Sequence, residues 1–83
     1  MLSHFYMLPN FRGRGLGQRA MEFIGREMRL MGIRRIELFV LRANAAAVGL
    51  YCKNGYSIVE EVLTRLGNGA VLEDYLMRKV VER

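Results

Sequence analysis

The sequence is short of the residues on which several classes of small protein depend. Its 83 residues include one cysteine, one histidine, one proline and no tryptophan. One cysteine cannot form an intramolecular disulfide framework, and one histidine with one cysteine offers too few ligands for a metal site. No apolar run approaches the ~18 residues of a membrane-spanning helix, and the N-terminus lacks the pattern of a signal peptide. We therefore expect a cytoplasmic protein that binds no metal and no membrane.

Length, apolar content and charge narrow the possibilities further. A chain of 83 residues forms one domain at most, and it buries only about 60% of its unfolded surface. Because 52% of the residues are hydrophobic, we infer that a partner chain or a second copy covers some of the apolar surface. The net charge of +5 is compatible with binding nucleic acid, acidic lipid or a polyanionic small molecule.

The apolar pattern predicts six elements in the order β-α-β-α-β-β. Branched and aromatic residues favour strands over 1–8, 33–41, 56–66 and 71–81, and helical spacing or alanine content favours helices over 16–30 and 45–54. Asn44 is a predicted helix N-cap, Gly32 a left-handed C-cap, and 67–69 a hairpin turn. The first strand, helix and strand form a βαβ unit with parallel strands. The sequence therefore predicts an α/β fold of the α+β type with a mixed sheet.

The stretch NFRGRGLGQRA, residues 10–20, combines alternating glycines with arginines directly before the first predicted helix. Glycines let the backbone approach a ligand closely, and the free amides at a helix N-terminus attract anions. The stretch is thus a candidate pyrophosphate site, the alternative being a tight, solvated turn. Its spacing matches neither G-x-G-x-x-G nor a P-loop, which disfavours both familiar nucleotide-binding folds.

Two blocks of the sequence resemble the GNAT superfamily, the acyl-CoA-dependent N-acyltransferases. Arg12-x-x-Gly15-x-Gly17 is similar to the family's Q/R-x-x-G-x-G/A signature. The block that starts with Asn44-Ala-Ala-Ala and continues as Leu50-Tyr-Cys-Lys-Asn-Gly-Tyr is similar to N-x-x-A...L-Y-x-K-x-G-F/Y. Residues 7–9 and 74–77 resemble the end of the family's fourth strand and its closing strand, so the resemblance covers nearly the whole chain in order.

The resemblance implies an acetyl-CoA site whose pyrophosphate is held by the backbone of the signature loop. A leucine on the preceding strand faces the pantetheine arm, and an asparagine at the start of the next helix bonds to it. Asn44 matches that asparagine, although its role as an N-cap is an equal alternative. The predicted acetyl-CoA-binding residues are Leu8, Arg12, Gly13, Arg14, Gly15, Leu16, Gly17 and Asn44.

The resemblance also implies direct transfer of an acetyl group from acetyl-CoA to an amine. Tyr51 matches the tyrosine that protonates the departing thiolate, and a tyrosine with its reference pKa of about 10 stays protonated at neutral pH. The alternative for Tyr51 is a core aromatic side chain. His4 and Glu37 are candidate bases, and we assign the role to neither. Cys52 is predicted to be a buried thiol that acts as a small hydrophobic residue.

By this resemblance, residues 1–83 form a single truncated GNAT-like acyl-CoA-binding domain that lacks the family's N-terminal half. Three arrangements would complete the domain: a second copy of the chain, a different chain that supplies the missing half, or a longer reading frame. We favour a homo-oligomer. The alternative function is a CoA-binding module or non-catalytic remnant. Nucleic-acid binding is disfavoured because the arginines cluster at the glycine turn and around Gly32. The amine acceptor is left open.

Overall fold

The computed structural model describes residues 5–8 and 17–81 of the chain. Six elements follow one another there: β1 (Phe5–Met7), α1 (Gln18–Leu30), β2 (Arg35–Leu41), α2 (Ala45–Lys53), β3 (Ser57–Arg65) and β4 (Val71–Val80). The predicted order and the mixed α/β class are confirmed. Helix α1 and strand β2 each begin two residues later than predicted.

The strands form one mixed sheet in the order β1-β2-β4-β3. Strands β1 and β2 are parallel, with Tyr6 opposite Ile36, as the predicted βαβ unit requires. Strand β4 lies antiparallel to β2 along the whole of β2 and antiparallel to β3 on its other side. The predicted hairpin is confirmed: Leu66 N–H bonds to Ala70 O at 2.9 Å, and Gly69 has a φ of +88°, which favours glycine.

Both helices pack on the same face of the sheet. Alternate side chains of β2 face the helices, and Ile36, Leu38 and Val40 are all at most 3% exposed. They pack with Met77 and Tyr51 in one apolar core. Its buried members are Leu8, Met21, Met28, Ile36, Leu38, Val40, Ala47, Tyr51, Tyr56, Met77 and Val81. Within the described ranges, neither helix has the length and apolar character needed to cross a membrane.

The opposite face of the sheet, which we call the open face, has no helix against it among the described residues. It carries the other alternate side chains of β2 and their neighbours on β4. Phe39 and Leu76 are opposite each other there and only half-buried. Apolar side chains on this face therefore retain exposed surface, and the expectation that a partner chain or a second copy covers such surface stays a prediction.

Helix α1 ends as the sequence predicts. Gly32 has a φ of +77°, a conformation that glycine adopts without the steric cost of a Cβ. Ile33 N–H bonds back to Met28 O at 2.9 Å, so the helix closes and the chain turns directly into β2.

The core position of Met77 makes it a sensitive probe of this packing. Met77 is 0% exposed, whereas Met31 is 64% exposed. We expect Met77→Ala to lower the free energy of unfolding by about 2–5 kcal/mol, because it removes buried atoms and leaves a cavity. The control Met31→Ala should change it by no more than about 0.5 kcal/mol. Urea unfolding measures both, and equal losses in the two variants would contradict the placement of Met77.

Tyr56 is a second probe, because its ionisation is linked to folding. It is 4% exposed, and its ring centroid lies 5.9 Å from that of Tyr51. Burial, and secondarily the neighbouring Tyr51, raises the pKa of Tyr56 from 10.0 to about 12. In the unfolded chain the pKa returns to the ordinary value, so the folded state alone keeps this proton between these two values.

We therefore expect the stability contributed by neutral Tyr56 to be complete below about pH 10 and to be lost as the pH rises towards 12. Tyr56→Phe removes this ionisation, so its free energy of unfolding should fall less steeply over the same window than that of the original chain. Chemical denaturation at several pH values measures the two slopes. Parallel slopes would show that Tyr56 ionises equally readily in both states.

Candidate acetyl-CoA site

The described pairing of β1 with β2 reaches the carboxyl end of β1. The last described hydrogen bond between them joins Leu8 N–H to Glu37 O at 2.8 Å. Arg42 N–H bonds to Glu73 O across the other side of β2. Because backbone groups alternate in direction along a strand, Phe39 and Leu41 present their amides towards the β1 side. Neither amide has a partner within 5–8 and 17–81. We call this part of the β1-side edge of β2, at Phe39 and Leu41, the opening between β1 and β2.

Helix α1 begins beside this opening with an uncapped N-terminus. Gly17 is the N-cap residue, no side chain caps the helix, and the first turn has no acidic residue. An added Cβ at Gly17 would meet nothing within 4 Å, and its φ of −78° is one that any residue adopts. Neither the backbone conformation nor a contact with another described residue therefore requires glycine at position 17. The space beside the uncapped amides is open to an anion.

Asn44 lies directly beyond the end of β2, where its backbone N–H bonds to Leu41 O at 3.0 Å. Its side-chain Oδ1 accepts a hydrogen bond from Ala47 N–H at 3.1 Å, which confirms the predicted N-cap. Its Nδ2 group has no acceptor in the described part of the chain. The oxygen thus caps α2 while the nitrogen stays available as a donor.

Gly17 and Asn44 lie at one edge of the sheet, because each follows the carboxyl end of a strand and the two strands are parallel. Open α/β sheets bind ligands outside such strand ends. The signature-loop residues between β1 and Gly17 lie outside the described residues, as does the candidate base His4. They are Arg12, Gly13, Arg14, Gly15 and Leu16.

Tyr51 projects from α2 into the core. Its exposure is 2%, and Leu8 at 5% belongs to the same apolar cluster. This burial agrees with a core role, which was the alternative that the sequence left open. The role of Tyr51 as an acid stays a prediction.

Cys52 is exposed, so the prediction of a buried thiol is wrong. Ala47 and Tyr51 are the buried residues of α2, and they lie one turn apart on its core-facing side. Cys52 follows Tyr51 by one residue, which turns its side chain about 100° around the helix axis and towards solvent.

Glu37 is held on the open face by two arginines. Its Oε2 accepts a hydrogen bond from Arg78 Nε at 2.5 Å, and Arg35 Nε lies 4.0 Å away. Glu37 is 6% exposed. Since Arg78 lies on β4 opposite Glu37, this ion pair ties the two central strands together, and we assign Glu37 to that structural role.

Sequence reasoning missed a reciprocal amide pair between the two helices. Gln18 Nε2 donates to Asn54 Oδ1 at 3.0 Å, and Asn54 Nδ2 donates to Gln18 Oε1 at 2.8 Å. The pair fixes the start of α1 against the end of α2. The two residues are 36 positions apart, and two amides at such a separation leave no pattern that a sequence reader could use.

A groove of about 260 Å³ lies below this pair, between α1 and the last residues of α2 and β4. Arg26, Arg29 and Lys79 give it a basic lining, completed by Met21, Glu22, Gly25 and Asn54. Leu8, Gly17 and Asn44, the residues predicted for acetyl-CoA that the structure describes, do not line it. The groove is therefore separate from the opening between β1 and β2.

Comparison with known proteins agrees with this geometry. Residues 1–56 match the model of the acetyltransferase (GNAT) family. The chain is 39% identical over 54 residues to an uncharacterized N-acetyltransferase, YdgE, of Bacillus subtilis (strain 168), a match over 65% of this chain and 34% of that protein.

Two solved structures share the fold. An acetyltransferase of the GNAT family from Streptococcus pneumoniae is 32% identical, with a TM-score of 0.70 over 84% of this chain and 42% of its own. The structure of yncA from Salmonella typhimurium with its cofactor acetyl-CoA is 21% identical, with a TM-score of 0.72 over 86% of this chain and 42% of its own. This chain thus spans about a third to two fifths of the length of these relatives.

The family match covers well over half of the chain, and the mixed sheet with its two helices has the fold of these solved structures. The chain belongs to the GNAT family of acetyltransferases.

Proposed function

We propose that this chain is the acetyl-CoA-binding part of an N-acetyltransferase that moves an acetyl group directly to an amine. The observation that carries the proposal is the uncapped start of α1 beside the opening between β1 and β2. A helix N-terminus favours a phosphate by charge and by hydrogen bonding, and the unpaired strand amides favour an extended, amide-containing arm. Acetyl-CoA has both features. A cytoplasmic location belongs to the same proposal.

The described residues fit the two parts of acetyl-CoA differently. The pyrophosphate would lie against the amides that follow Gly17, where nothing described fills the space. The pantetheine arm would accept a hydrogen bond from Asn44 Nδ2 and pair with the free amides of β2. Leu8 would contribute apolar contact at the end of β1. The arginines at 12 and 14 complete the proposed phosphate site by their positive charge.

Transfer of the acetyl group needs a proton at the departing sulfur atom. The amine nitrogen forms the new bond to the acetyl carbon, the carbon–sulfur bond breaks, and the sulfur leaves as a thiolate. We assign the proton to Tyr51 Oη, since a neutral phenol can donate to a thiolate. A base must accept the proton that the amine loses, and we name none among the described residues.

The acceptor side of the site would form on the open face. Half-buried Phe39 and Leu76 lie there without a helix against them in the described ranges. The relatives extend well beyond the matched segment, so in them other parts of the chain are present to cover such a face. We propose that a second copy, or another chain, completes the acceptor side for these residues.

Calorimetric titration of acetyl-CoA into the 83-residue chain tests the binding site. We expect saturable binding, weakened roughly tenfold in Asn44→Ser, because serine keeps the N-cap but removes the Nδ2 donor. Asn44→Ala loses both groups, so it should bind as weakly as Asn44→Ser and also lose about 1 kcal/mol of stability. Wild-type affinity in Asn44→Ser would limit Asn44 to capping. A folded chain without any binding would overturn the proposed function.

The role of Tyr51 is tested by Tyr51→Phe with Tyr56→Phe as the matched control. We expect kcat to fall by about a hundredfold in Tyr51→Phe, as for loss of a general acid, with the affinity for acetyl-CoA nearly unchanged. The control should keep its activity. Release of the CoA thiol over a panel of primary amines measures both variants. Equal turnover in Tyr51→Phe would remove Tyr51 from the mechanism. Saturable binding with no transfer by the original chain would favour the alternative, a CoA-binding module.

A further inference from the structure

Strand β3 forms the outer edge of the sheet, opposite to β1. The sheet order places β4 on one side of it, and no strand within the described ranges lies on its other side. The edge is nine residues long, and eight of them are exposed. Leu63, near its centre, is 63% exposed. Such an edge is a template for pairing with another chain unless it is protected.

The pairing of β3 with β4 determines which of its backbone groups point outward. Leu66 N–H bonds to Ala70 O, and residues two apart repeat the same direction along an antiparallel pair. Residues 62 and 64 therefore bond inward to β4, whereas Glu61, Leu63 and Arg65 present their N–H and C=O groups to the outside. These three are the positions that a further strand would meet.

The side chains at these outward positions form an acidic, apolar and basic series. In an antiparallel pair of two β3 strands centred on Leu63, Glu61 of each copy lies opposite Arg65 of the other, and the two leucines meet at the twofold axis. Centring the pair on Glu61 would place the two Glu61 carboxylates opposite each other, which is destabilising. Centring it on residue 62 or 64 places one of the two charges opposite Leu63 and the other opposite an uncharged residue, Val59 or Gly67. Of these registers, only the Leu63-centred one places Glu61 opposite Arg65 at both ends of the pair.

Both charges are available for such pairing. The Glu61 carboxylate lies 3.5 Å from Arg42, and 65% of the Glu61 side chain is exposed. Arg42 has a second ion-pair partner, the carboxylate of Glu73, at 3.7 Å. Arg65 is exposed and has no ion-pair partner among the described residues. A partner's Arg65 can therefore approach Glu61 without leaving Arg42 unpaired.

We propose that two copies of this chain pair through their β3 strands, antiparallel, with the twofold axis at Leu63. The interface joins two four-stranded sheets into one continuous sheet. It leaves the opening between β1 and β2 untouched, because that opening lies at the other side of the sheet. The proposal therefore stands independently of acetyl-CoA binding.

Oxidative cross-linking tests the register in a Cys52→Ser background, which has no other cysteine. In the proposed dimer the two Leu63 Cα atoms form a hydrogen-bonded pair at about 5.5 Å, inside the range that a disulfide spans. Leu63→Cys should therefore give a covalent dimer under mild oxidation. The matched controls Val62→Cys and Thr64→Cys place their two thiols diagonally, at roughly 7–8 Å between Cα atoms, and should cross-link at least about tenfold more slowly.

Charge reversal tests the ion pairs in the same cross-linking assay. Arg65→Glu should slow the Leu63→Cys reaction by roughly tenfold, since it sets two carboxylates opposite each other at both ends of the pair. Adding Glu61→Arg should restore the rate. Arg26→Glu makes the same charge change on the exposed surface of α1 and should have no effect.

Several outcomes would overturn the proposal. Cross-linking that is fastest at residue 62 or 64 would show another register, and charge reversal without effect would remove the ion pairs. Sedimentation equilibrium of the unmodified chain measures its oligomeric state directly. The result does not depend on whether any variant folds. A dimer that Arg65→Glu dissociates supports the proposal, and a monomer at all concentrations overturns it.

Discussion

Strand β2 is hydrogen-bonded along its full length to β4, whereas its described register with β1 covers only Arg35 to Glu37. This inequality organises the site. Complete pairing with β4 fixes the orientation of β2, so the amides of Phe39 and Leu41 point towards its β1 side. A strand that was free on both sides could twist to satisfy them. The pairing of β2 with β4 thus keeps the amides on the β1 side of β2 available to a ligand.

The one-sided core follows from the same sheet. Both helices take the face that carries Ile36 and Met77, so nearly all full burial is on that side. On the open face, Glu37 and Asp74 are buried, and Glu37 is held by its ion pair with Arg78. An ion pair at such a site contributes little net stability but is costly to break, because the remaining charge would be left unpaired. It therefore fixes the strand positions without closing the face to a covering partner.

Local signals in the sequence were sufficient for the elements and for part of the site. Gly32 and Asn44 predicted a helix end and a helix start, because each acts on its own backbone neighbourhood. Long-range contacts were not accessible in the same way. The Gln18–Asn54 pair and the Glu37–Arg78 pair each depend on where whole elements pack, and neither leaves a local pattern. The wrong prediction of a buried Cys52 has a related cause. Helix α2 is short and apolar, so its sequence does not show which side faces the core, and neighbouring residues such as Tyr51 and Cys52 differ in exposure.

The side chain of Asn44 can serve both roles that the sequence presented as alternatives: the N-cap is confirmed, and the bond to pantetheine stays a prediction. A side-chain amide has an acceptor and a donor on different atoms. The cap needs only the acceptor, because helix starts have unpaired N–H groups and no spare carbonyl; the hydrogen bond to Ala47 N–H uses it. Aspartate would cap equally well but would offer a negative charge instead of a donor.

The two edges of this sheet therefore suit different partners for a geometric reason. The opening beside β2 offers two amides, those of Phe39 and Leu41, beyond the described end of β1, and they suit a short, extended arm that carries its own amide groups. The β3 edge is fully accessible along its length, and its outward series of Glu61, Leu63 and Arg65 is self-complementary when reversed. In a protected edge strand, charged side chains repel any strand that approaches. The charges of β3 act differently, because they pair with each other in one register of two copies. Such an edge therefore selects one partner, a second copy of the same chain.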